Sequence, residues 1–169
     1  MPQANTATDQ ITVLLAFQTA CRAIAGFGTE NCWISDNPPS SVEEIPNASR
    51  HQLWMCLYPL EGSPDGAKFI GGGRANLVEQ TGVTTIVYSA DRLSRAGRPE
   101  HAMTRDDMGL LTVKALLLDA LHGVDLLDSG DKLLTQPMEC VHAERPSVAG
   151  QPFGDLALTW STPFQWLLS

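Results

Sequence analysis

The segment His51–Leu60 (HQLWMCLYPL) limits the possible folds more than any other stretch of the chain. Side chains along a strand alternate between the two faces of a sheet, so a strand with one wet face alternates apolar with polar. Here Leu53, Met55 and Leu57 share one parity, and Trp54, Cys56 and Tyr58 share the other. A strand that is apolar on both sides belongs inside a sheet whose two faces are covered. The rest of the chain must supply neighbouring strands and material to bury each face.

Three other stretches read as the neighbours. Ala75–Gln80 and Val83–Ala90, rich in Val, Thr, Ile and Tyr, look like two strands joined at Thr81-Gly82. Met138–Ala143 reads as another. In Asp155–Leu168, the residues Leu156, Leu158, Trp160, Phe164, Trp166 and Leu168 share one parity, against Thr159, Ser161 and Gln165. Pro163 cannot donate to a ladder, which predicts an edge or bulged strand there. Chain ends normally fray, so an apolar face that runs so far needs an anchor, either the domain's own sheet or a partner. Asp36–Ser49, with Pro38-Pro39 and Pro46, reads as a connector without regular structure. Gly62–Arg74 is turn-rich and long for a hairpin loop, Asp91–Met103 is a polar loop, and Asp125–Leu134 is a turn followed by a short extended stretch.

Two helices complete the pattern. The first spans Asp9 to Ala25, capped by Thr8 or Asp9 and stopped by Gly26 and Gly28. At 100° per residue, Val13, Leu14, Phe17, Ala20, Cys21 and Ile24 share its inner face, with Gln18, Thr19 and Arg22 opposite. Ile11 and Leu15 also fall on that nominally wet side. The second spans Thr104 to His122, with Thr104 and Asp107 at capping-box spacing and Gly123 as its stop. Leu110, Val113, Leu116, Leu117, Ala120 and Leu121 form one apolar face; Met108, Leu111, Ala115 and Leu118 form a second. A helix apolar on two sides is buried on two sides, and either the first helix or a neighbouring subunit can supply the second cover.

The expectation is therefore an α+β fold: a mixed, mostly antiparallel sheet flanked by two main helices. Residues 1–8 are expected to form a flexible N-terminus and residues 9–169 a single domain carrying the Pro-rich insertion 36–49. The chain's 169 residues suit one domain, and 43% apolar with 18% charged residues is an ordinary globular composition. No apolar run reaches the roughly 18–20 residues of a membrane span. The first residues lack a signal peptide's basic start and apolar centre, so a cytosolic place of synthesis is expected. Cys21, Cys32, Cys56 and Cys140 are isolated, which suits buried thiols in a reducing compartment. The net charge is −8, and the basic residues are scattered. Gripping nucleic acid takes clustered Lys and Arg, whereas an acidic surface suits DNA that slides past without sticking.

Catalysis needs convergent groups, and each candidate falls short. His51, His101, His122 and His142 are far apart in sequence. Cys140-Val141-His142 places a thiol and an imidazole on one strand face, but two ligands do not make a zinc site. Asp125, Asp128 and Asp131 around Gly130 miss the EF-hand spacing. Gly71-Gly72-Gly73-Arg74 lacks the Lys-Ser/Thr of a phosphate loop, and Glu43-Glu44 sits in the Pro-rich connector. No GxSxG or HExxH occurs. The reading is a non-enzyme with no catalytic, cofactor or metal residues.

The opening helix DQITVLLAFQTACRAI, the strand pair ending VTTIVYSAD, the helix and turn GLLTVKALLLDALHGVDLLDSGDKLL, and the closing LALTWSTPFQWLLS follow an order that resembles one known group. It is similar to the tail-terminator proteins of long-tailed bacteriophages and their relatives among tail-completion and neck proteins. The likeness is one of length, element order and texture, covers most of the chain beyond residue 8, and rests on no diagnostic motif. The insertion 36–49 departs from the smaller members. The resemblance implies a structural protein of the virion, made in the host cytoplasm. It implies a ring, a hexamer, that caps the head-proximal end of the tail tube and stops its polymerisation. Its partners would be other copies of itself, the tail-tube protein and a neck or head-completion protein. Genomic DNA would pass through the lumen without specific binding, and there would be no cofactor.

A ring needs two different complementary patches on each subunit. The candidates are Ile11 and Leu15 on the first helix and Met108, Leu111 and Leu118 on the second. Lys68, Phe69 and Ile70 in one loop, Arg92 and Arg95 in another, and Trp166 near the end could meet the tube or neck. Three alternatives stay open. One is a neck or head-completion protein. Another is a small-molecule-binding or enzymatic α+β domain with a pocket under Gly62–Arg74, lined by Trp54, Tyr58 and Phe69. The last is a monomeric host-interaction protein.

Overall fold

A computed structural model describes residues 6–39, 42–48, 50–63, 77–89, 109–127, 137–144 and 156–166. Its elements in chain order are helix α1 (Thr6–Arg22), strand β1 (Cys32–Ile34), a 3-10 turn (Val42–Glu44) and strands β2 (Leu53–Ser63) and β3 (Leu77–Ser89). Helix α2 (Leu110–Leu121) and strands β4 (Glu139–Glu144) and β5 (Leu156–Trp166) follow. The strands form one mixed sheet in the order β1-β2-β3-β5-β4. Among the described residues β1 and β2 pair in parallel, and the β2–β3, β3–β5 and β4–β5 pairings are antiparallel. This is the α+β class that the alternation patterns led us to expect.

The doubly apolar strand lies inside the sheet, between β1 and β3. Leu53, Met55 and Leu57 of β2 join Val83 and Val87 of β3 and Leu156, Leu158 and Trp160 of β5 on one face. Both helices cover that face, through Val13, Phe17 and Cys21 of α1 and Leu110, Val113, Leu117 and Leu121 of α2. Fully burying an aliphatic or aromatic side chain is worth about 1.5–3 kcal/mol, so this layer dominates stability. The rings of Phe17 and Trp160 meet at 6.1 Å and a 58° tilt, tying α1 to β5. The Trp160 indole donates to the Thr85 hydroxyl at 3.1 Å, and that hydroxyl donates to the Leu158 carbonyl at 3.3 Å. A buried polar pair on the helix-covered face is thus satisfied within the sheet.

The opposite face carries Trp54, Cys56, Ile86, Tyr88 and Ala157. Among the described residues its cover is the Pro-rich insertion, which buries Ile45 there and packs Ala48 against the same cluster. Trp33 stacks on Tyr88 at 6.4 Å beside it. The insertion also contains the short 3-10 turn, where irregular structure was expected.

Several boundaries differ from the sequence expectation. The described parts of the segments 75–80 and 83–90 are not two strands: β3 runs unbroken through Thr81-Gly82 and pairs with β5 from Leu77 to Val87, while residues 75, 76 and 90 lie outside the described residues. A tight reversal needs positive φ, and Gly82 does not have it. β5 is flanked by β3 and β4, so it is not an edge strand, yet β4 reaches only as far as Ser161. Pro163 therefore sits where β3 alone among the described strands is paired with β5, which tolerates a missing donor. The second helix starts at Leu110, because its N-cap Gly109 is extended at φ −68° and ψ 158°; Thr104–Met108 lie outside the described residues. Conversely, α1 runs from Thr6 to Arg22, where Asp9 to Ala25 was expected. β1 was not anticipated, because three residues are too few to show a period.

Two polar devices hold the turns. Buried Asn31 donates to the carbonyls of Gly26 and Leu53 and accepts from the Gly28 amide, pinning the α1–β1 turn to β2. After α2, Gly123 at φ +76° turns the chain so that its amide donates to Met138 at 2.7 Å.

Candidate interaction surface

Helix α1 presents three kinds of surface. Val13, Phe17, Cys21 and Ile24 are buried in the core, as their spacing requires. Gln18 and Arg22, expected to face water, instead reach over the sheet edge. Arg22 donates twice to the Cys32 carbonyl, at 2.9 and 3.2 Å, and Gln18 donates to it at 3.4 Å. A free strand edge invites further pairing, and the guanidinium blocks it. The third surface is apolar and exposed. Ile11 is 55% and Leu15 50% exposed, and Leu15 lines an open groove of about 640 Å³ with Ala16, Ala20, Val124, Asp125 and Leu127. Val124 and Leu127 are themselves exposed, while Leu126 between them packs into the core. Sequence reasoning read Asp125–Leu134 as a turn followed by a short extended stretch; the missed signal was three aliphatic residues, Val124, Leu126 and Leu127, directly after a helix stop.

On α2 the two expected faces separate only in part: of the inner set, Leu116 is half-buried and Ala120 is exposed. Leu110, Val113, Leu117 and Leu121 are fully buried. On the second face Leu111 is 51% exposed and Ala115 is exposed, so α1 does not cover them. Leu118 is half-buried and packs against the core, so it belongs only in part to the outer flank. The remaining candidate contacts Lys68, Phe69, Ile70, Arg92, Arg95 and Met108 lie outside the described residues. Trp166 pairs with Leu77 at the far end of β5. Thus Leu15 meets the groove, Leu111 stands on the other helix, and the structure does not bring the two together.

The titratable groups are mostly structural. Burial raises the Cys32 thiol to about 11, against the partial counter-effect of Arg22, and raises Cys56 to about 12. Cys21 is raised well above its ordinary value, by burial and by the neighbouring Cys32. These three are the inert core thiols that their isolation suggested, but Cys140 is only half-buried, with a more modest rise from burial. A bulge between Cys140 and His142 corrects another expectation. Cys140 pairs with Trp160 and His142 with Thr159, so thiol and imidazole fall on opposite faces. The Cys140 amide donates to His122 Nδ1 at 3.1 Å, tying the end of α2 to β4. Among the described residues no group of three or more His, Cys, Asp or Glu is placed to hold a metal ion. Nor is any helix among them long and apolar enough to cross a membrane. Of the residues suggested as pocket lining, Trp54 is wholly buried in the second cluster, Tyr58 is half-buried, and Phe69 lies outside the described residues.

The chain matches no protein-family model, and no curated protein matches it either.

Proposed function

We propose that the chain is a structural, non-enzymatic virion protein, a tail terminator. It forms a ring on the head-proximal end of a phage tail tube, stops tube growth and joins the tail to the neck. The observation that carries this reading is apolar surface on helices that are already anchored by a full core. Ile11, Leu15 and Leu111 are each half or more exposed, while their helices bury Val13, Phe17 and Cys21 and Leu110, Val113, Leu117 and Leu121 on the inner side. Single exposed aliphatics are ordinary, but clusters on rigid elements mark contact surfaces. The acidic balance, −8 overall, adds support, since a channel wall must let DNA slide. The test is to add the purified protein to polymerising tail-tube protein and measure tube length by electron microscopy. Arrest of growth with density at one tube end is expected; tubes that lengthen as before would remove the reading. Binding to head particles with no effect on tubes would place the protein on the neck side of the joint.

A further inference from the structure

We propose that the groove between α1 and residues 124–127 receives the outer flank of α2 from a second copy of this chain, so that copies join head to tail. This rests on the ring-forming reading above and names its contact. The groove follows α1 from Thr12 to its end and reaches Ala23 just beyond it, about 15 Å of helix at 1.5 Å per residue. Leu15, Ala16 and Ala20 form one wall, and Val124 and Leu127 form the other. Small side chains on the helix wall admit a ridge from another helix. On α2, Leu111, Lys114, Ala115 and Leu118 stand at i, i+3, i+4 and i+7, the spacing by which an amphipathic helix seats in such a groove.

Charge selects the occupant. Asp125 lines the groove and is exposed, and Lys114 stands within the apolar flank of α2. The ion pair found among the described residues joins His51 to Glu30, and neither Lys114 nor Asp125 has a carboxylate or ammonium partner there. Two copies each carrying −8 repel on average, so a lysine facing an aspartate inside an apolar contact gives both attraction and register. The patches are distinct: the groove is lined by residues of the first helix and of 124–127, and none of Leu111, Lys114, Ala115 and Leu118 lines it. Two unlike patches give a heterologous contact, which closes into rings when the rotation allows.

The experiment is sedimentation velocity on the full chain from micromolar to about millimolar, for wild type, Asp125→Lys, Lys114→Asp and the double reversal. Wild type is expected to associate with concentration. Each single reversal should weaken association about tenfold or more, as for close charge pairs at interfaces, and the double should return it near wild type. Leu15→Glu and Leu111→Glu, at exposed positions, should abolish it with circular dichroism unchanged. Monomers throughout, single reversals that associate like wild type, or a double that does not recover would overturn the proposal. Protection of the groove only when tail-tube protein is added would overturn it too, by assigning the groove to that protein. Running the tube-growth assay on the same variants separates the two readings. Arrest by wild type and by every variant alike keeps the tail terminator and discards this contact. Charge-dependent association without arrest keeps the contact and discards the terminator.

Discussion

Cys21, Cys32 and Cys56 are buried, and both Cys21 and Cys56 are close enough to feel the Cys32 thiol. Their folded pKa values lie above the ordinary 9.0, at about 11 for Cys32 and about 12 for Cys56. The neutral thiols therefore contribute stability that is complete below pH 9, where the unfolded chain also keeps its protons. Above that, the unfolded chain ionises first, and stability falls as pH rises toward the folded values. Urea midpoints are expected to hold level from pH 7 to 8 and to drop by pH 10.5, with a shallower drop in Cys56→Ala. A midpoint unchanged at pH 10.5 would contradict this. Isolation in sequence made the thiols' inertness legible. That Cys140 stands apart was not, because a bulge moves it relative to His142, and bulges leave no mark on parity.

At the scale of elements, α2 tests how far a helical wheel can be trusted. Both of its apolar stripes were visible as spacings, and the structure buries one and exposes much of the other. Leu117→Ala is expected to cost about 2–5 kcal/mol, as truncation at a fully packed site does. Leu111→Ala should stay within about 0.5 kcal/mol, as surface changes do. Thermal melts of the two variants decide it, and equal losses would mean that α2 is covered on both sides within one chain. The wheel for α1 was right about Val13, Phe17, Cys21 and Ile24, right only in part about Leu14 and Ala20, which are half-buried, and wrong about Gln18 and Arg22. A wheel separates apolar from polar, but it cannot see a bare carbonyl on a neighbouring strand that a polar side chain will cap.

The whole molecule depends on the insertion that local reasoning treated as a connector. Ile45 and its neighbours cover Trp54, Tyr88 and Cys56, without which the sheet would have one wet face lined with aromatics. Replacing residues 37–47 with a Gly/Ser linker is expected to red-shift tryptophan emission, increase binding of a hydrophobic dye and promote aggregation. Emission and dye binding like those of wild type would show that the second face needs no cover.

That β2 lies inside a sheet covered on both sides was decided by its own side chains, since apolar residues on both parities have nowhere else to go. The inner stripes of both helices and the alternation of β5 were decided in the same local way, because a period of 3.6 or 2 is set by the backbone. The identity of each cover was not: helices take one face and a proline-rich segment the other. That choice, like the order β1-β2-β3-β5-β4 and the exposure of Leu15 and Leu111, depends on the path of the chain between elements. Those connections join residues far apart in sequence, and only the folded chain brings them into contact.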